Sequence, residues 1–247
     1  EETDKESINQ KEINYTVNGN NGNQNNPSKP MNSYFEEERY RNFQHQFFDS
    51  RVLDFNSVGE LRDIAAVFIS IEQFDDYSYF EKFVSVLLDK AVLYDGYIKG
   101  IDFGDKGSNL LVVFGAPTAH EDDSKRALDF VFELRDQFCD HMRVGITKGT
   151  VYAGLIGSDR RSCYDVLGDT VNLAARFMMK ADWGDVWVST KIANLCENHY
   201  IFEYVDSLEF KGKSEKVKTY CAKRKRGNFD IKYAGWMIGR DSDEKRL

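Results

Sequence analysis

The chain has 247 residues, enough for one ordinary domain with flanking sequence or for two small ones. Its 33 basic and 41 acidic residues leave a net charge of −8, which argues against a general nucleic-acid or anionic-membrane surface but allows a local anion site. The longest apolar runs, such as Leu110 to Phe114, are far too short to cross a bilayer, so no membrane segment is expected.

Residues 1–33 carry the polar, low-complexity run Asn18 to Pro27, which cannot bury enough apolar surface to offset its ordering entropy. They read as a disordered Asn-rich linker. Residues 34–60 form a lead-in in which Phe35, Tyr40, Phe43 and Phe47 recur at near-helical spacing, as in a short amphipathic helix packed on a core.

A compact α+β domain is expected over 61–226. Ala65 to Ile71 is an apolar, β-branched run and so a buried strand. Phe74 to Leu93 follows as a helix, with Phe80, Phe83, Val84, Leu87, Leu88 and Ala91 on one face. Gly96 to Ile101 and Asn109 to Phe114 read as strands joined by a tight turn at Gly104 to Gly107. Pro117 breaks the chain before an amphipathic helix, Glu121 to Phe138, whose Glu121, Asp122 and Asp123 suit its positive end.

Met142 to Thr147 and Val151 to Leu155 suggest a hairpin turning at Lys148-Gly149. Thr170 to Lys180 is a helix and Val186 to Ser189 a strand, and two last strands, near Phe202 to Phe210 and Val217 to Ala222, flank Lys211 to Lys213. The order βαββαβ, then helix and strands, implies a ferredoxin-like, mainly antiparallel sheet with helices on one face.

The four cysteines, Cys139, Cys163, Cys196 and Cys221, are far apart, with no Cys-x-x-Cys pair and no histidine at a ligand spacing, so free thiols are expected. His120 and His141 have no partner at metal spacing, and Lys223 to Arg226 is better explained as a solvated strand end than as an anion patch.

Chemistry concentrates in Arg143 to Arg176. Gly145, Gly149, Gly154 and Gly157 suit close backbone approach. Asn172 and Arg176, four apart, project from one helix face among Val171, Leu173, Ala174 and Ala175. Arginine favours bidentate phosphate contact, and an asparagine amide both donates and accepts. A solvated face with a salt bridge is the competing account.

The runs Arg143 to Gly157 and Tyr164 to Arg176 resemble the catalytic core of class III adenylyl and guanylyl cyclases. Gly104 to Asp123 is similar, more narrowly, to the second cyclase domain of the soluble adenylyl cyclase group, in which two cyclase domains stand in tandem ahead of an ATPase-like module. Residues 227–247 resemble a link into such a module. The chain accordingly reads as a fragment of a larger, cytoplasmic protein.

The resemblance implies an active site between two cyclase domains, one holding two Mg²⁺ or Mn²⁺ ions through carboxylates, the other binding nucleotide. Ser70 stands where the first metal carboxylate belongs, and a neutral hydroxyl cannot replace an aspartate that bridges two hard cations. Glu72 is a fallback on the same side of the strand, and Asp105 is a doubtful second carboxylate in a lengthened turn. No metal is therefore expected on this chain.

By the same resemblance Asn172 orients the ribose, Arg176 neutralises the triphosphate, and Lys211 holds the terminal phosphates, unless it is merely a turn lysine in water. Asp165, with Val166 beside it, sits where the family reads the base, and a carboxylate accepts from adenine's amine but repels guanine's carbonyl. The family's base-contacting lysine falls at Gly100, with Lys99 adjacent, and in a regular strand that slip would turn the side chain to the opposite face. The implied function is half of an adenylyl cyclase, making 3′,5′-cyclic AMP and pyrophosphate from ATP when docked on a metal-bearing cyclase domain that precedes the linker. A non-catalytic pseudocyclase and a guanylyl cyclase half using GTP are the alternatives.

Overall fold

The computed structural model describes residues 44, 48–53, 55, 59–72, 77–104, 107–158, 160–209 and 216–227. The Asn-rich linker, the aromatic stretch 34–43, the tail 228–247, Asp105 and Lys211 lie outside the described residues.

A short helix α1 (Ser50–Leu53) precedes β1 (Glu60–Ile71), α2 (Tyr77–Tyr94), β2 (Tyr97–Gly104), β3 (Gly107–Phe114), α3 (Asp123–Phe138), β4 (Met142–Ser158), β5 (Arg161–Leu167), α4 (Asp169–Lys180), β6 (Val186–Ser189), α5 (Thr190–Cys196), β7 (Tyr200–Leu208) and β8 (Val217–Lys225). The sheet runs β2-β3-β1-β4-β6-β8-β7, and β5 hangs from β4 alone. Neighbours are antiparallel except β4 and β6. The four-strand portion β2-β3-β1-β4, crossed over by α2 and α3, is the expected ferredoxin-like unit.

From Ile64 to Ile71 β1 is apolar except for Ser70, because both of its faces are covered there. Ala65, Val67, Ile69 and Ile71 join a core covered by α2, α3 and α5, whereas Ile64 and Ala66 join a second core with Tyr164, Val166, Val171 and Ala174. The helices are therefore not confined to one face: α4 packs on the side opposite α2 and α3. The expected stripe on α2 is also narrower, since Phe83, Leu87 and Ala91 are buried and Leu88 is exposed.

The expected hairpin at Lys148-Gly149 does not form. β4 runs unbroken past both residues, pairing along β1 from Ile71↔Met142 to Glu60↔Ala153. The glycines serve close packing instead of a turn. A Cβ at Gly145 would stand 2.1 Å from the Ala174 carbonyl oxygen and 2.5 Å from the Met178 nitrogen, and one at Gly149 would stand 2.5 Å from Thr170 Oγ1. Both positions thus let α4 lie directly on β4. Thr147 Oγ1 donates to the Thr170 carbonyl at 2.7 Å and fixes that helix start.

Candidate active site

Between β2, β5 and the start of α4 lies a cleft of about 390 Å³. Phe68, Leu111 and Val171 supply apolar lining; Lys99, Asp102, Asn109, Asp165 and Asn172 supply the polar groups. Lys99 reaches it through a β-bulge. Ile98 pairs with Val112 and Gly100 with Leu111, which leaves Lys99 as an extra residue in β2. Two residues on the bulged strand then oppose one on its partner, and Lys99 and Gly100 both line the cleft. The one-residue slip seen in the sequence is absorbed.

Lys99 Nζ stands 3.4 Å from Asp165 Oδ2, each side chain about a quarter exposed. Asp165 Oδ1 accepts the Val166 N–H at 2.8 Å. One carboxylate oxygen is thus held by backbone while the other faces a cation, and both residues of the pair line the cleft. Val166 is buried and contributes to the lining.

The ring of Tyr164, the residue before Asp165, is buried and meets Phe55 and Tyr97 edge-on, with centroids 5.0 and 5.4 Å away. Burial first, then the negative charges of Asp49 and Asp165, push the Tyr97 phenol up to about 12, so it is a protonated donor at neutral pH. It donates to the Tyr164 carbonyl at 3.4 Å.

Asn172 projects from the first turns of α4 into the cleft, and Gly168 lines it just before the helix begins. Arg176 lies one turn further on, half-buried, and is not among the cleft-lining residues.

Ser70 is not among the cleft-lining residues. It is 1% exposed, between Asn109 and Arg143 in register, and its Oγ has no hydrogen-bond partner among the described residues. Glu72 has left the sheet, is half exposed, and accepts a hydrogen bond from His141 Nδ1 at 2.9 Å. Among the described residues no group of three His, Cys, Asp or Glu side chains could hold a metal ion. The register neighbours of Ser70, Asn109 and Arg143, bring an amide and a cation and no carboxylate, a set that does not fit a divalent cation.

Elsewhere His120 Nε2 pairs with Asp95 Oδ2 at 2.6 Å. Asp123, read as helix-start charge, opens α3 and is 3% exposed. Burial raises its pKa against the His120 N–H that it accepts at 3.1 Å. None of the four cysteines is in a disulfide. Asp102 and Asn109 line the cleft although neither carries a site signal in the sequence. Their signal is cross-strand: Asp102 pairs with Asn109 and Asn109 with Ser70, a polar row visible only once the register is known.

The fold is shared with solved nucleotide cyclases. The adenylyl cyclase CyaB from P. aeruginosa superposes with a TM-score of 0.60 at 20% identity, covering 69% of this chain and 98% of that one. The guanylate cyclase domain of RhGC from Catenaria anguillulae gives 0.57 at 21% identity, covering 68% and 100%. By sequence, adenylate cyclase type 10 of Homo sapiens is 31% identical over 136 residues, 49% of this chain and 8% of that protein. An adenylate cyclase of Mycobacterium tuberculosis is 30% identical over 128 residues, 48% of this chain and 29% of that protein. The chain thus spans only a small part of its curated relatives. The profile of the adenylate and guanylate cyclase catalytic domain matches residues 58–224, and the chain belongs to that family.

Proposed function

We propose that the chain is the base-binding and transition-state half of a class III cyclase, forming 3′,5′-cyclic AMP and pyrophosphate from ATP when docked on a metal-bearing cyclase domain. The observation that carries this reading is the Lys99–Asp165 pair lining a cleft that Asn172 also lines. An ammonium donor beside a carboxylate acceptor complements the ring nitrogens and exocyclic amine of adenine. In the reaction the ribose 3′-oxygen attacks the α-phosphorus, the bond to the bridging oxygen of the β-phosphate breaks, and pyrophosphate leaves. Asn172 orients the ribose, Arg176 balances the charge that builds on the triphosphate, and Lys211 holds the terminal phosphates. Positioning and preorganised charge supply most of such catalysis. Mg²⁺ or Mn²⁺ belongs to the partner domain, since the residues around Ser70 do not suit it.

Ser70 also favours a second reading, a pseudocyclase that binds nucleotide without turnover. Mixing the chain with its metal-bearing partner, Mg²⁺ or Mn²⁺, and ATP or GTP separates the readings. Cyclic AMP should form in preference to cyclic GMP, and Asn172→Ala or Arg176→Ala should lower the rate about 10²-fold, the scale of losing a transition-state donor. No cyclic nucleotide from any such mixture refutes the enzyme reading; a predominance of cyclic GMP assigns the half to a guanylyl cyclase.

A further inference from the structure

We infer that Arg51 and Phe55 of the lead-in form a clamp that positions Asp165 against Lys99, and so set nucleotide affinity and base choice; the nucleotide part rests on the function proposed above. β5, which carries Asp165, pairs with β4 only, so no strand pairing fixes its distance from β2, which carries Lys99. Side chains bridge that gap. Tyr97 of β2 donates to the carbonyl of Tyr164, and the two rings meet edge-on. Phe55 packs on the same Tyr164 ring, at 5.0 Å and 80°. The Tyr164 hydroxyl is buried with no hydrogen-bond partner among the described residues, so ring contacts set where that ring lies. A shift of Tyr164 carries its neighbour Asp165 with it.

Arg51 anchors the other end of the clamp. Its guanidinium bonds Asp49 Oδ2 at 2.6 Å, the Asp95 carboxylate, and the carbonyls of Asp95 at 3.2 Å and Gly96 at 3.1 Å. Asp95 and Gly96 form the turn that feeds β2, and Asp95 holds a left-handed φ of 58°. One short segment therefore ties the turn before Lys99 to the ring before Asp165. Phe55 and Arg51 are positioning residues in this arrangement.

The test has two arms. The Val166 amide is held by the Asp165 side chain, so its hydrogen exchange reports that carboxylate's position without any nucleotide. In the full chain, Phe55→Ala should speed exchange at Asp165 and Val166 roughly tenfold relative to β1 amides, with Phe55→Leu intermediate. With the metal-bearing partner, Phe55→Ala and Arg51→Ala should raise KM for ATP roughly tenfold and narrow the ATP-over-GTP preference, with kcat changed less than about threefold, as expected when binding rather than the chemical step is affected. A lowered Tm with β5 exchange and KM unchanged would make the clamp merely structural and overturn the inference. A wild-type mixture that makes no cyclic nucleotide overturns the site reading and the nucleotide part of the inference, while the exchange arm still decides the clamp.

Discussion

Lys99 Nζ faces Asp165 Oδ2 at 3.4 Å across a cleft whose walls, β2 and β5, do not pair with each other. The lysine is there because β2 bulges between Ile98 and Gly100. A Cβ built at Gly100 meets nothing within 4 Å, so the next position is open as well. The double variant Lys99→Gly, Gly100→Lys should therefore keep KM for ATP within about fivefold of wild type, while Lys99→Gly alone should raise it about tenfold, the cost of removing one charged hydrogen bond from a partly buried site. Steady-state kinetics of the mixed domains checks both. In an unbulged strand the double variant would behave like the single one.

Gly145 is where β4 and α4 touch. Any side chain there enters the Ala174 carbonyl and the Met178 nitrogen, both backbone, so the helix itself has to move. Gly145→Ala should destabilise the domain by about 1–3 kcal/mol, the range for overpacking. Urea unfolding reads this as a lower midpoint with an unchanged m-value. Because the displaced helix carries Asn172 and Arg176, activity should fall further than the folded fraction does.

Partly buried Asp129 and buried Asp123 should respond oppositely to pH. Burial opposes ionisation of Asp129, but hydrogen bonds from Lys125 and Tyr200 at 2.6 Å and the ion pair with Lys225 at 3.0 Å outweigh it, and its pKa is lowered. The folded state therefore binds fewer protons than the unfolded chain, and the stabilisation is present above the unfolded value of about 4, being lost as pH falls through the folded one. Asp129→Asn should cost about 1–3 kcal/mol at pH 7, with the difference from wild type shrinking below about pH 4. Asp123 is raised by burial, so its ionisation penalises the fold as pH climbs from the unfolded through the folded value. Asp123→Asn, whose amide oxygen can still accept the His120 N–H, should be neutral or stabilising at pH 7. Thermal melts of both variants between pH 3 and 8 check the two signs.

Ser70 offers a test of the missing metal site. Ser70→Asp places a carboxylate in a buried position beside Arg143 and Asn109. The variant should melt lower than wild type, because an added buried carboxylate carries a desolvation cost. If this strand position is a metal position that has lost its ligand, millimolar Mn²⁺ should raise the variant's Tm and not that of wild type, through binding to the folded state alone. Equal Mn²⁺ responses would remove Ser70 from the metal account.

The sequence by itself determined the family, the strand and helix types of the central domain, and Asp165 and Asn172 as cleft residues. Those properties lie in runs such as Tyr164 to Arg176, where residue identity and spacing along one element decide which side chains share a face. Four features were decided only by tertiary structure. Gly149 reads locally as a turn, yet its absent side chain serves the approach of α4, an element that follows later in the chain. Lys99 reads as facing away, until pairing with β3 inserts the bulge that turns it into the cleft. Phe55 carries no local signal of a link to Asp165, and Asp102 none of a link to Ser70, because the first connection runs through the Tyr164 ring and the second through the sheet register. Spacing along one element is written in the chain; contact between elements distant in sequence arises only when packing and hydrogen-bond register are satisfied together.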